Sequence, residues 1–177
     1  MIVIAEYPWY RTVEKGQPPE QGDFVYSCPT IVPPATIEEY KQVEADVITY
    51  DVLIMSQSCD LANKKIDLVL VCPVWPLRAI ENSVPHFRKS SGKEDLRRGH
   101  LHAFHLLNKS EIDKFTEDFL VVDFRNVYGV HYDFLIEHLR KQGNRLRLLP
   151  PYREHLAQAF ARFFMRVGLP ADIPRFK

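Results

Sequence analysis

The pattern of apolar and polar positions predicts a chain built mainly of β-strands. Residues 46–55 are rich in β-branched side chains, and residues 66–74 form a nearly continuous apolar run, typical of a strand buried on both faces. Residues 24–28 alternate apolar and polar side chains, and Pro29 is expected to end that strand. The remaining predicted strands are residues 101–107, 119–125 and 145–148, the last with the alternation of an edge strand.

Helices are predicted mainly near the end of the sequence. Residues 132–142 have a helical pattern, and Gly143 is placed to terminate it. Residues 152–167 follow two prolines and precede Gly168, which marks the start and stop of a second helix. A short helix is also predicted to begin over residues 36–40. The apolar face of the last helix is expected to contain Leu156, Phe160, Phe163, Phe164 and Val167.

Two polar segments interrupt these elements. Residues 76–98 are rich in serine, lysine and arginine and are predicted to be a mobile excursion, whereas residues 56–65 connect the two strongest strands. We therefore expect one α+β domain over residues 1–177, dominated by a five- or six-stranded bent sheet or barrel with two C-terminal helices. Its predicted parts are a β-rich front (1–75), the excursion, and a back half of strands and helices (99–177).

Composition limits the class of protein. The 177 residues fit one domain, and 46% apolar with 26% charged residues is typical of a globular protein. No apolar run approaches the ~20 residues of a membrane span, and residues 1–5 lack the basic start and cleavage site of a signal peptide. Three cysteines without C-x-x-C spacing argue against a disulfide framework or zinc ribbon and favour the cytoplasm.

The zero net charge conceals an uneven distribution. Residues 1–75 carry 5 basic and 11 acidic residues, and the remaining residues carry 18 basic and 12 acidic ones. Such asymmetry fits either a polyanion-binding half or two halves that attract each other within one fold. No phosphate-loop, dinucleotide-binding, nucleophile-elbow or H-E-x-x-H motif is present, so no cofactor is predicted.

The most unusual cluster is Ser-Gln-Ser-Cys-Asp at residues 56–60, at the end of a predicted buried strand. Cys59 could be a nucleophile if a histidine approached it, and it could equally be a small buried side chain. Asp60 could be a catalytic group or, like Asn63, an ordinary turn residue. The side chains predicted to bind a ligand here are Ser56, Gln57, Ser58 and Asn63.

Two further pairs could carry chemistry. His100 and His102 would share one face of a strand and could hold one cation, although no third ligand with zinc-like spacing is evident. Asp123 and Arg125 could hold a ligand phosphate or form an ion pair at the sheet rim.

A basic stretch near the C-terminus could track an RNA backbone or simply solvate a helix flank. Its predicted binding residues are Arg145, Arg147 and Arg153, with Arg140 and Lys141 beside them.

Three short segments carry a resemblance to a known family. They are Gly22-Asp23-Phe24, then Val52-Leu53-Ile54-Met55-Ser56 followed by Asn63, and Leu68-Val69-Leu70-Val71-Cys72-Pro73-Val74. Together they resemble the front half of MazF/PemK-type toxins, a family of small SH3-like β-barrels whose homodimers cleave RNA without metal. The resemblance implies an SH3-like bent sheet or barrel, a possible homodimer and a role in bacterial stress or phage defence.

The same resemblance implies that the toxin reaction is lost. Asp51 stands where the family has an arginine that assists cleavage, and Trp75 stands at its catalytic Thr or Ser position. An acid there would repel the scissile phosphate, and an indole cannot transfer a proton. The chain also resembles a group of uncharacterised bacterial proteins that share the Ser-Gln-Ser-Cys-Asp loop and a Pro-Pro-Tyr-Arg-Glu-His-Leu helix.

Three function classes follow. The leading one is a non-catalytic regulatory or partner-binding protein, with a protein partner favoured over RNA. One alternative is a metal-independent endoribonuclease with a non-standard site of Asp60, His100 or His102, and Arg125. The other is a hydrolase that uses Cys59 and His102.

Overall fold

The computed structural model describes residues 7–36 and 44–165, and the predicted short helix over 36–40 lies almost entirely outside them. The strands are β1 Tyr10–Val13, β2 Phe24–Val32, β3 Asp46–Ile54, β4 Leu68–Pro76, β5 Phe104–Leu107, β6 Ser110–Ile112, β7 Phe115–Glu117, β8 Leu120–Asp123, β9 Tyr128–His131 and β10 Arg145–Leu148. The helices are α1 Ser58–Ala62, α2 Leu77–Ser83, α3 Ser90–Arg97, α4 Tyr132–Gln142 and α5 Tyr152–Phe164, with a short 3-10 helix at Pro85–Arg88.

All described strand pairs are antiparallel. The largest sheet has the order β2-β3-β4-β8-β5, and β9 also pairs with β4; β1 pairs with β10, and β6 with β7. The α+β class is therefore confirmed, and the strands described do not close into a barrel. Central strand β4 pairs with β3, β8 and β9. The expected burial on both faces holds over Val71–Val74, whereas Leu68 and Leu70 at the start of the strand are exposed.

Neighbouring residues of β3 point to opposite faces of the sheet. Val52 and Ile54 pack in a cluster with Leu135 and Leu139 of α4, whereas Leu53 packs on the other side. That other cluster contains Phe24, Cys72, Val122, Phe124 and Leu156 of α5. The period-2 alternation of a strand thus places α4 and α5 on opposite faces of one sheet.

The strand prediction at Pro29 is wrong. Strand β2 continues through Pro29, which pairs with Thr49. Proline is tolerated because β2 is the last strand of its sheet, where a missing N–H breaks no ladder. A register shift between Val25 and Cys28 accompanies Ser27, whose φ is 48°.

Residues 76–98 are helical rather than an irregular excursion. Helices α2 and α3 and the intervening 3-10 turn bury Ile80, Phe87 and Leu96 against Val121 of β8. These anchors are spaced too widely along the sequence to show a clear periodicity, which is why the segment resembled a loop. Gly92 permits the tight packing, since a Cβ there would lie 2.0 Å from the His86 carbonyl oxygen.

Both C-terminal helices form as predicted, with one change in extent. Helix α4 ends before Gly143, whose φ is 89°. Helix α5 ends at Phe164, which is exposed rather than in the core, and predicted positions beyond residue 165 lie outside the described residues. Over the described part of the chain, every helix is too short or too polar to cross a membrane.

Candidate functional site

A fully buried carboxylate, Asp23, lies at the start of β2 and faces β10. Arg145 donates from Nε to Asp23 Oδ2 over 2.6 Å, and Arg147 donates from Nη2 to the same oxygen over 2.8 Å and from Nε to Oδ1. The backbone N–H of Glu20 also donates to Oδ2, over 3.1 Å. A buried charge is costly unless it is paired and hydrogen-bonded, and here both conditions are met.

The ionic network extends from Asp23 to helix α5. Arg147 contacts Glu20 through Nη1, and Arg153 of α5 reaches the other oxygen of Glu20 over 3.3 Å. Arg145 and Arg147 also donate to the carbonyl of Pro18, at 2.7 and 2.9 Å. The network therefore joins the 17–23 turn, β10 and α5 into one rigid unit.

This network changes the expectation of a basic surface. The side chains of Arg145 and Arg147 are at most 3% exposed and are neutralised by Asp23 and Glu20, so they are not available to a polyanion. Arg153 is 24% exposed and is the one predicted binding arginine that reaches a surface cavity.

The Ser56–Asp60 cluster is fastened to the same unit by hydrogen bonds. Ser58 Oγ accepts from the Gln21 N–H over 3.1 Å, and the Gln21 side-chain amide donates to the Met55 carbonyl over 2.8 Å. Ser56 Oγ accepts from the Leu70 N–H over 2.9 Å. Both serines thus accept hydrogen bonds from backbone N–H groups of neighbouring segments, which ties the connection to Gln21 and to β4.

Between this cluster and α5 runs a surface depression that we call the α5 groove. It consists of two adjoining cavities of about 470 and 400 Å³, and Gln21, Gln57 and Ala157 line both of them. The apolar end is lined by Met55, Ile66, Leu68, Leu70, Phe160 and Ala161, with Ser56 and Asp60. The polar end is lined by Ser58, Cys59, Arg153, Glu154 and Gln158.

The α5 groove brings together most residues that the sequence predicted for binding. Ser56, Gln57, Ser58 and Arg153 line it, although Arg153 is more than 90 positions from the others. Asn63 does not line it; its side chain donates to the Cys59 carbonyl over 2.6 Å at the end of α1.

The described lining of the groove contains no thiol–imidazole pair. Cys59 is exposed, and its thiol donates to Asp60 Oδ1 over 3.7 Å. Within residues 7–36 and 44–165 no histidine hydrogen-bonds to it, and His102 lines a different cavity on the other side of Gln158. Nucleophilic catalysis by cysteine needs a base within hydrogen-bond reach, and the described geometry supplies none.

Arg125 and Asp123 form the ion pair that the sequence offered as the alternative to a phosphate site. Arg125 donates from Nε and Nη2 to the two oxygens of Asp123, over 2.9 and 2.8 Å. The hydrogen bond with Asp123 raises the pKa of Arg125. Its guanidinium also lies over the Phe104 ring, 4.6 Å from the centroid.

His100 and His102 do not share a strand, because β5 begins only at Phe104 and His102 lies in a turn. His100 Nδ1 lies 3.5 Å from Asp95 Oδ1. Among the described residues, no group of three histidine, cysteine or acidic side chains is placed to hold a metal ion.

Asp51 and Trp75, the two positions on which the expected loss of the toxin reaction depends, both have structural partners. Asp51 Oδ1 accepts from the Ser27 N–H over 2.8 Å. Trp75 contacts Tyr50 edge-on at 5.7 Å, and Tyr50 stacks on Tyr128 at 5.6 Å.

Sequence reasoning missed Gln21, Ala157, Leu68 and Leu70 as groove residues. The two leucines lie in a strand that looked buried on both faces, yet they are 57% and 41% exposed. The one signal in the sequence was Gly22, a glycine directly before the predicted first strand, where another segment can approach the backbone closely. In the structure its φ is 86°, and a Cβ there would lie 3.1 Å from Leu148 Cβ and 3.5 Å from Arg153 Cγ.

A scan against protein-family models and a search of curated proteins find no match to this chain.

Proposed function

We propose that this chain is a non-catalytic binding protein that holds an apolar segment of a protein partner in the α5 groove. The observation that carries the proposal is the exposure of Leu68 and Leu70 on β4, opposite the small side chains of Ala157 and Ala161 on α5. Adjacent apolar side chains beside a helix of small residues form a cleft into which a partner side chain can insert.

The charge of the groove favours a protein over RNA. Its charged residues are Asp60, Glu154 and Arg153, and the arginine is already paired with Glu20 and Glu154. Binding of a nucleic-acid backbone depends on unpaired cations, and this groove offers an excess of acid. The polar end can instead exchange hydrogen bonds with a partner backbone through Gln57 and Gln158.

The absence of a catalytic role is part of the proposal. The Cys59 thiol faces a carboxylate, and Arg125 is engaged by Asp123. On the toxin-like reading, Asp51 and Trp75 would replace the reactive side chains, and the bent sheet would be retained for binding. A regulatory role in bacterial stress or phage defence is the setting that this resemblance suggests.

Selection of peptides from a random library against the full-length chain tests the proposal. We expect the selected peptides to share one or two large apolar residues and to lose at least tenfold in affinity for the Ala157→Phe variant, which fills the groove. Leu68→Ser should act in the same direction, since it removes exposed apolar contact area.

The matched control is Ile31→Ser, which removes an apolar side chain that is 69% exposed on β2, away from the groove. Peptide affinity should stay within about twofold for this control. Equal losses for Ile31→Ser and Leu68→Ser would contradict the proposal, and so would cleavage of an RNA panel by the wild-type protein.

A further inference from the structure

Helix α5 also lines a further cavity, which adjoins the α5 groove at Gln158. It has a volume of about 230 Å³ and is lined by the end of α3, the turn before β5, β5 itself and α5. Its polar lining consists of the arginines Arg97, Arg98 and Arg162, the histidines His102, His105 and His155, and Gln158. No aspartate or glutamate side chain lines this described cavity, which we call the cationic cavity.

The helical repeat of α5 explains how one helix serves two sites. His155, Gln158, Ala159 and Arg162 are spaced i, i+3, i+4 and i+7, which places them along one face. Ala157 and Ala161 lie on the adjoining face and line the α5 groove. The two sites share Gln158, and the rest of their linings are different.

The arginines of the cationic cavity are incompletely neutralised. Arg97 and Arg98 both donate to a single carboxylate, Glu94, over 2.7 and 2.6 Å. Arg162 donates to the neutral Gln158 amide oxygen over 3.3 Å, and no described acidic side chain pairs with it. Among the described residues, two of the three guanidinium groups thus share one carboxylate and the third has none, so an excess of positive charge remains beside the cavity.

The histidines add hydrogen-bond donors without adding carboxylates. Burial, together with the neighbouring His155, lowers the pKa of His105 to about 4, so its ring is neutral at pH 7. A neutral imidazole still carries one N–H donor. Side chains that can donate hydrogen bonds therefore line the cavity from β5, from the turn at His102 and from α5.

The chemistry of this lining selects an anion. Guanidinium groups repel a metal cation, which agrees with the lack of a metal-binding cluster among the described residues. A phosphate carries about −1.5 to −2 charges at pH 7 and accepts hydrogen bonds on three oxygens, whereas a carboxylate offers two oxygens in one plane. Donors that arrive from three directions match the tetrahedral group better.

We propose that the cationic cavity binds a phosphate group, either as inorganic phosphate or as the phosphoryl end of a small phosphomonoester. Its volume lies below the ~300–1,000 Å³ of pockets for drug-sized ligands, which favours a phosphoryl group with at most a small substituent inside. Arg162, which has no acidic partner among the described residues, supplies the charge that pairs with it, and the histidine rings donate hydrogen bonds.

The test is titration of the full-length protein with inorganic phosphate at constant ionic strength. The readout is the chemical shift of the histidine ring ¹⁵N resonances. We expect saturable shifts at His102, His105 and His155, with the exposed His131 unchanged. Parallel titrations with adenosine monophosphate, adenosine and acetate distinguish the sources. Tighter binding of the monophosphate than of inorganic phosphate identifies a phosphomonoester site, and the reverse order identifies a site for free phosphate.

Two charge-matched variants complete the test. Arg162→Gln should weaken phosphate affinity at least tenfold, because it removes the arginine that lacks a carboxylate partner among the described residues. Arg140→Gln removes the same charge from the exposed face of α4, where Arg140 lies 3.6 Å from Glu137, and should leave the affinity within about twofold. Equal weakening in both variants, acetate binding as tight as phosphate, or no saturable histidine shift would each overturn the proposal.

Discussion

Arg145 donates a hydrogen bond from Nε to Asp23 Oδ2 over 2.6 Å, across 122 positions of sequence, and both side chains are essentially excluded from solvent. This pair connects the turn before β2, in the main sheet, to β10, which pairs with β1 in a separate two-stranded sheet. The same turn binds the Ser56–Asp60 cluster through Gln21 and Arg153 through Glu20.

Removing Asp23 should be strongly destabilising. Asp23→Asn leaves two buried guanidinium groups without their shared carboxylate, and we expect a loss of about 3–5 kcal/mol in the free energy of unfolding. Urea denaturation followed by circular dichroism measures this change. Glu137→Gln, in the exposed pair with Arg140, is the control and should cost less than about 1 kcal/mol. Similar costs for the two variants would show that burial does not set the strength of the Asp23 network.

Gly22 should tolerate alanine less well than Gly16 does. The two glycines have φ of 86° and 87°, so alanine meets the same backbone strain of about 1–2 kcal/mol at both. At Gly22 the new Cβ also meets Leu148 Cβ at 3.1 Å, whereas at Gly16 nothing lies within 4 Å. The difference in unfolding free energy between Gly22→Ala and Gly16→Ala therefore isolates the steric contact. Equal values would mean that Leu148 yields without cost.

The low pKa of His105 predicts sensitivity to acid. An unfolded histidine takes up its proton near pH 6.5, but the folded protein does so only near pH 4. Between these values the unfolded state binds more protons, so the free energy of unfolding falls as the pH is lowered through this range. The loss should be on the order of 1–3 kcal/mol, since the side chain is partly exposed.

Urea denaturation at pH 7 and pH 4 for His105→Gln checks this prediction. The variant should lose the part of the pH dependence that comes from His105, whose titratable neighbours in the cationic cavity are His155, His102 and the arginines. His131→Gln, an exposed histidine on β9, should keep the wild-type dependence. An unchanged profile in His105→Gln would contradict the assignment.

The three cysteines should differ sharply in reactivity. Cys59 is exposed, whereas Cys28 and Cys72 are buried, and burial raises their thiol pKa to about 11 and about 12. Because the thiolate is the reactive form, an aromatic disulfide reagent at pH 8 should label one thiol per native chain and all three in denaturant. Native labelling that persists in Cys59→Ser would show that a buried cysteine is accessible.

Several elements were predictable because their signals are local. The β-branched run at 46–55 forms β3 at Asp46–Ile54, and the helical pattern at 132–142 forms α4. The missed strands β1, β6, β7 and β9 have only three or four residues, and none of them has an alternation as regular as the Arg-Leu-Arg-Leu sequence by which β10 was predicted at the same length. The helices between residues 76 and 98 were missed because each buries only one or two apolar side chains.

The candidate site was predictable in part. The Ser-Gln-Ser-Cys-Asp cluster stood out because polar side chains at the end of a buried strand are unusual, and it does line the α5 groove. The exposure of Leu68 and Leu70 was not predictable, because the sequence of an apolar strand does not show whether another element covers each of its side chains.

The sequence by itself determined the α+β class, the main strands and both C-terminal helices, since these depend on the spacing of apolar residues over short stretches of neighbouring positions. Only the tertiary structure decided what the charged residues do. Arg145 and Arg147 read as a basic surface stretch, but β10 turns both toward Asp23. Charge is a property of one side chain, whereas its function depends on which opposite charge the fold brings within hydrogen-bond distance and whether water is excluded there.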